Sequence, residues 1–157
     1  MIRINGRFIF VGKTKEKYVI QALDKYCKIL KKYGNIEICE IKAEKFFDNL
    51  SNYKKKESQK ILKNINENSF KIFLDLKGKE FSSEQLASHF SNLFSQGIFK
   101  FDFIIGGAYG FDDSILKQAD LIWKLSDLTF NHQMIRIILM EQFYRILSII
   151  NGENYHH

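Results

Sequence analysis

Proline is absent from this 157-residue chain, so no turn or boundary is marked by it. Cysteine is nearly absent. Cys27 and Cys39 fall in different expected elements and neither sits in a CxxC, which favours a reduced, packed pair over a disulfide or a metal site. The four histidines, His89, His132, His156 and His157, are scattered and give no HExxH, so no metal is expected. No apolar run approaches the roughly 20 residues that span a bilayer. The opening MIRINGRFIFVGK has neither a long apolar core nor a small-residue cleavage site. A cytoplasmic protein without membrane attachment is the expectation. Repeats, linkers and low-complexity tails are also missing, which points to one domain over residues 1–157.

Arginine is scarce: Arg3, Arg7, Arg136 and Arg145 are the whole set, and two of them share one C-terminal segment. Its planar fork suits phosphate and base edges. The net charge of +6 comes mostly from lysines spread along the chain. That balance is compatible with a polyanionic partner, although a run such as Lys54-Lys55-Lys56 more often forms a solvated helix face.

What is present is an alternation of apolar patterns. Ile2 to Val11 reads as a first strand, with Asn5-Gly6 a point where it could break. From Glu16 to Tyr33 the apolar residues recur at helical spacing. Ile36–Ile41 is a short strand, 54–66 a polar surface helix, and 70–76 a third strand ending at Gly78. Ser82 and Gln85 outline a capping box ahead of Leu86, Phe90, Leu93 and Phe94. A fourth strand covers 101–105, a short helix about 113–118, and a fifth strand 121–125. The last helix runs from about His132 to Ile150, with Asn131 as its cap. Strand-helix alternation over the whole length predicts an α/β fold, with a mainly parallel sheet and helices on both faces.

Two phosphate motifs fail on inspection. Val11-Gly12-Lys13-Thr14 resembles the end of a P-loop, but the glycine required at position 7 is Arg7 and the residues between form a strand. Gly106-Gly107-Ala108-Tyr109-Gly110 is not GxGxxG and follows the fourth strand rather than the first. Two readings of these glycines stand open: a turn with positive φ, or close approach of a ligand to bare main chain at a strand's carboxyl end. The segments after the third and fifth strands, LDLKGK and LSDLTF, end in the same manner. Ser126, Asp127 and Thr129 there are equally suited to turn capping.

LDLKGKEFSSEQLA, FIIGGAYGF, LSDLTFNHQMIRIILMEQFYRI, the terminal NYHH and the N-terminal VGKTKEKYVIQALDKY together resemble the RlmH family. These are SPOUT-type methyltransferases that act on N3 of a pseudouridine in large-subunit rRNA. The resemblance covers nearly the whole chain in order. It implies a deep trefoil knot within roughly residues 70–157, a homodimer, S-adenosyl-L-methionine as cofactor, and 23S rRNA in the ribosome as partner. Carried over by motif, the cofactor-binding positions are Leu74, Gly106, Gly107, Gly110, Leu125, Ser126, Asp127, Leu128, Thr129 and Phe130. In this reading side chains on the glycines would fill the cofactor's volume, so Gly106→Val should abolish binding without unfolding the protein.

Catalytic candidates come from the C-terminal segment. His132 stands at a helix N-terminus with Arg136 one turn on, and could equally be a capping or packing histidine. Arg145 is spaced for an ordinary pair with Glu141, but the resemblance places the matching arginine in the active region. The resemblance also brings Tyr155 and His156 to the active site, His156 as candidate proton acceptor and Tyr155 as its stacking or hydrogen-bonding partner. Asn131 replaces the family's usual proline and His157 its usual basic terminal residue. Two alternatives remain: a SPOUT enzyme with another RNA target, or a non-catalytic ribosome-binding module.

Overall fold

A computed structural model describes residues 2–45 and 49–155. Five strands, β1 (Ile4–Val11), β2 (Gly34–Ile41), β3 (Phe70–Glu80), β4 (Lys100–Ile105) and β5 (Leu121–Lys124), form one sheet in the order β2-β1-β4-β3-β5. Every neighbouring pair is parallel. All carboxyl ends therefore lie along one edge, which is where open parallel sheets bind ligands.

Burial on both faces explains the continuous apolar runs of β1 and β4. Phe8 and Phe103 pair in register and stack with their centroids 4.9 Å apart. With Phe10 they face α1 (Lys17–Leu30), α3 (Ser83–Ser95) and α5 (Met134–Ile150), where Phe90 and Phe143 close the aromatic core. Ile9, Val11, Phe73 and Ile104 point the other way, onto α2 (Leu50–Asn64) and α4 (Asp113–Leu116). Helices cover both faces, as the alternation predicts.

Several boundaries differ from the expectation, each for a local reason. β1 does not break at Asn5-Gly6, because Gly6 is in register with Ile36 on one side and Phe101 on the other. α2 starts a turn earlier than expected, where the Asn49 side chain accepts the Asn52 N–H at 3.2 Å. Nor is it simply a surface helix, since Tyr53, Glu57, Ser58 and Ile61 are buried. The Asn131 carboxamide caps the N–H of Gln133 at 2.7 Å, one turn ahead of α5 proper. The capping box at Ser82 and Gln85 is present in full.

β3 outlasts its predicted end. Leu74 and Lys79 both align with Trp123, so residues 75–78 bow out of the ladder before pairing resumes. A Cβ on Gly78 would lie 2.6 Å from the Ile122 carbonyl, so only glycine lets these backbones pass. Gly78 permits a crossing rather than ending a strand. Among the described residues no helix is long and apolar enough to cross a membrane, and no three His, Cys, Asp or Glu side chains are grouped to hold a metal.

Candidate active site

The loops leaving β3, β4 and β5, three adjacent strands, converge on a cleft of about 600 Å³. Leu74, Gly106, Gly107, Gly110, Leu125, Ser126, Leu128, Thr129 and Phe130 all line it, and so does His132. Asp127 alone among the predicted cofactor residues does not; its carboxylate is turned to Lys124 Nζ at 2.6 Å. Sequence reasoning assigned no cofactor role to Leu76, Lys77, Trp123 or Ile135, which line the cleft as well. Leu76 and Lys77 belong to the bowed segment, whose course the residue pattern does not reveal.

Local turns shape the walls. Asp75 Oδ1 accepts the Lys77 N–H at 2.8 Å and Ser126 Oγ accepts that of Leu128 at 3.0 Å. These side-chain-to-backbone bonds fold the chain back on itself and project Leu76 and Leu128, which are 60% and 69% exposed. Ser126 therefore caps a turn and also borders the cleft.

The glycines require a correction. A Cβ on Gly106 would meet the Phe111 ring at 2.9 Å, and one on Gly107 would meet Glu57 Oε2 at 2.6 Å. Each β-carbon would meet protein atoms first. The first would strike the core beneath the loop and the second a buried acid. Gly106→Val should therefore disturb folding, contrary to the expectation that it leaves the fold intact. Gly110 is glycine for its backbone, with φ at +76° and open space where a Cβ would stand.

Glu57 is the residue that sequence reasoning missed. It reaches from α2 beneath the loop, 2% exposed, and its Oε1 accepts the Gly107 N–H at 3.0 Å. Burial pushes its carboxyl above the usual range, opposed by the Gly107 N–H and the Tyr53 hydroxyl. Only the burial of a glutamate within KKKESQK could have flagged it, and composition gives no hint of that.

The C-terminal candidates form a separate cluster. Arg145 holds Glu141 through Nη2 at 2.7 Å and Nε at 3.1 Å. The Tyr155 ring lies under the guanidinium, 4.9 Å from Cζ, and its hydroxyl donates to Glu141 at 3.1 Å. Burial, then Tyr26 and Glu141, push the Tyr155 phenol well above its ordinary value, so it stays protonated. Glu153, just past α5, accepts from Lys32 at 2.6 Å and from Tyr33 at 2.9 Å. Ile135 borders the cleft, and Arg145 lies ten positions on along α5, roughly 15 Å of helix rise away. Within one chain the two sets do not meet.

Arg136 does not face the cleft. It is 1% exposed, stacks on Phe10, and donates to Thr14 Oγ1 at 2.7 Å and to the Val11 and Gly12 carbonyls at 3.1 and 3.0 Å. His132, one turn earlier, stays exposed at the rim. His156 lies outside the described residues.

A parallel sheet opening at its carboxyl edge into a cleft of this volume, lined by glycines and apolar side chains, defines an α/β protein with a small-ligand or cofactor site in the usual place. Comparison with known proteins narrows this. The family model described as "Predicted SPOUT methyltransferase" matches residues 4–156. Curated relatives called "Ribosomal RNA large subunit methyltransferase H" include one from Alkaliphilus oremlandii, 46% identical over 98% of this chain and 99% of its own. Another, from Acetivibrio thermocellus, is 42% identical over 94% of this chain and 96% of its own. The chain belongs to the SPOUT methyltransferase family. A solved tRNA (m1G37) methyltransferase from Aquifex aeolicus shares the fold with a TM-score of 0.57 at 15% identity, over 98% of this chain and 75% of that one.

Proposed function

We propose that this chain is an S-adenosyl-L-methionine-dependent methyltransferase that modifies N3 of a pseudouridine in 23S rRNA, on the ribosome and in the cytoplasm. Its relatives' shared designation as large-subunit rRNA methyltransferases, over nearly their full length, supports the rRNA target. The observation that carries the reading is the cleft. Leu74, Leu125, Leu128 and Phe130 provide apolar walls for a flat ring, and Gly106, Gly107, Ala108 and Gly110 line the cleft with little side-chain bulk. These residues fit the cofactor, and they are the ones that would hold it. When bound, it supplies a methyl group already activated on sulfonium, which leaves the protein little covalent chemistry to perform.

The chain's own tasks are to orient and to exclude water. Glu57 fixes the glycine loop from below. Glu141 fixes the plane of Arg145, which Tyr155 supports from its other side. As a phenol held protonated, Tyr155 donates a hydrogen bond and does not take the N3 proton; His156 is the proposed acceptor. The distance along α5 between the cleft and this cluster supports a homodimer. In that arrangement Arg145 and Tyr155 of the partner subunit complete each cleft, and exposed Leu76 and Leu128 are covered. The trefoil knot and the single-domain organisation belong to the same proposal.

Mass spectrometry of 23S rRNA from a strain lacking the gene tests it, with loss of one N3-methylpseudouridine expected. An unchanged modification pattern would refute the substrate. Calorimetry with S-adenosyl-L-methionine tests the cleft separately, and absence of binding would favour a non-catalytic module.

A further inference from the structure

A second cleft, of about 550 Å³, lies on the other side of the glycine loop. It opens over the carboxyl ends of β1 and β2, at Val11 and Ile41. Gly107, Ala108 and His132 belong to both clefts and form the saddle between them. The sheet order explains the arrangement. β4 separates β1 from β3, so its loop divides one carboxyl edge into two basins.

The two basins differ in chemistry. The second is lined by Lys13, Lys15 and Lys42, all exposed. Lysine ion pairs among the described residues use Lys28, Lys32, Lys60, Lys77 and Lys124, and none of these three. Among the described residues one acid lines the basin, Glu40. Its carboxylate accepts the Thr14 N–H at 3.2 Å and lies in the field of buried Arg136. Glu44, close enough to feel Lys42, is already paired with Lys60 at 2.5 Å. Among the described residues the lining therefore carries more positive than negative charge.

The loop that presents Lys13 and Lys15 is also held in place. Arg136 binds the Val11 and Gly12 carbonyls and the Thr14 hydroxyl. Gln133 accepts the Lys15 N–H at 2.9 Å and donates to the Lys13 carbonyl at 3.3 Å. Both residues come from the start of α5, whose neighbouring Asn131, His132 and Ile135 line the first cleft. One helix start thus sets the spacing between the basic loop and the cofactor cleft. Little loop ordering remains to be done when a ligand arrives.

We propose that the second cleft seats the RNA phosphodiester backbone beside the target nucleotide, with Lys13, Lys15 and Lys42 as phosphate contacts. The target base then crosses the Gly107–His132 saddle into the first cleft. This rests on the reading of the chain as an RNA methyltransferase and names the substrate-holding surface of that site. Lysine is a compact point charge suited to phosphate oxygens, and such contacts position a strand without reading its sequence. These three contacts therefore contribute no sequence selection of their own.

Fluorescence anisotropy of the full chain with a short labelled single-stranded RNA, across a salt series, tests this. Lys13→Ala/Lys15→Ala/Lys42→Ala should bind about tenfold or more weakly at low salt. Its salt-dependence slope should fall by about 2, at roughly 0.7 per lost phosphate contact on single strands. Calorimetry should show unchanged affinity for S-adenosyl-L-methionine. The control Lys25→Ala/Lys55→Ala/Lys63→Ala removes the same charge from α1 and α2 and should bind RNA like the parent chain. Equal losses in the two variants, or a wild-type slope in the first, would overturn the proposal. Because no methyl transfer is measured, RNA held through this cleft by a protein that leaves 23S rRNA unmodified would refute the function and leave the binding surface standing.

Discussion

Replacing Glu57 by alanine probes the support beneath the glycine loop. The substitution deprives the Gly107 N–H of its acceptor, and a buried unpaired donor costs about 1–3 kcal/mol. Loss of one packed methylene adds about 0.8 kcal/mol. Opposing these is relief of the desolvation that pushes the carboxyl up. A net loss of about 1–3 kcal/mol follows near pH 8, or roughly 2–12 °C in Tm for a chain of this size. Glu57→Gln keeps an acceptor oxygen and removes the titration. The sign of its pH dependence is fixed by the direction of the shift. A raised carboxyl contributes stability that is complete below the ordinary carboxylate range and is lost as pH rises through the folded value. Glutamine has no such loss, so the Tm of Glu57→Gln minus that of the parent should grow from pH 4 to pH 8. Differential scanning calorimetry at several pH values, with titration of S-adenosyl-L-methionine at pH 8, gives both readouts. Binding to Glu57→Ala should weaken about tenfold, equivalent to 1.4 kcal/mol, because the loop must be ordered by the ligand itself. An alanine variant with parental Tm and affinity would refute the reasoning, and so would a glutamine variant whose advantage shrinks as pH rises.

Arg136→Met should lose about 2–4 kcal/mol in urea denaturation, because two carbonyls and the Thr14 hydroxyl lose a charged donor. Gly78→Ala should damage the β3–β5 pairing, seen as a large Tm drop or insoluble protein, since its Cβ has no space against Ile122. Gly110→Ala meets no atoms and should cost only the roughly 1–2 kcal/mol of a left-handed alanine; similar losses at both glycines would contradict this distinction. Ser82→Ala should cost about 0.5–2 kcal/mol by thermal melting, through loss of the capping box.

The element order was legible because both periodicities are strong. Apolar runs bounded by glycine gave the strands, and helical spacing gave α1, α3 and α5. Where a polar residue is buried, the pattern misleads. α2 looks like a surface helix because Glu57 and Ser58 read as solvated, yet both are buried and Glu57 is bonded to a loop fifty residues away. Nine of the ten expected cofactor positions, carried over by the resemblance from motifs at strand ends, line the cleft, yet the reason for two of the glycines was not found. Gly106 and Gly107 are bare because of Phe111 and Glu57 behind them, and no local signal records what lies on the far side of a loop.

By itself the sequence determined the order of strands and helices, because that order follows from nearest-neighbour sterics and periodic burial. Only the tertiary structure decided that β4 lies between β1 and β3, that residues 75–78 bow out past Trp123, and that Arg136 clamps a loop while Arg145 and Tyr155 pair far from the cleft. Those outcomes depend on contacts between residues distant along the chain, fixed by how two packed layers close on the two faces of one sheet.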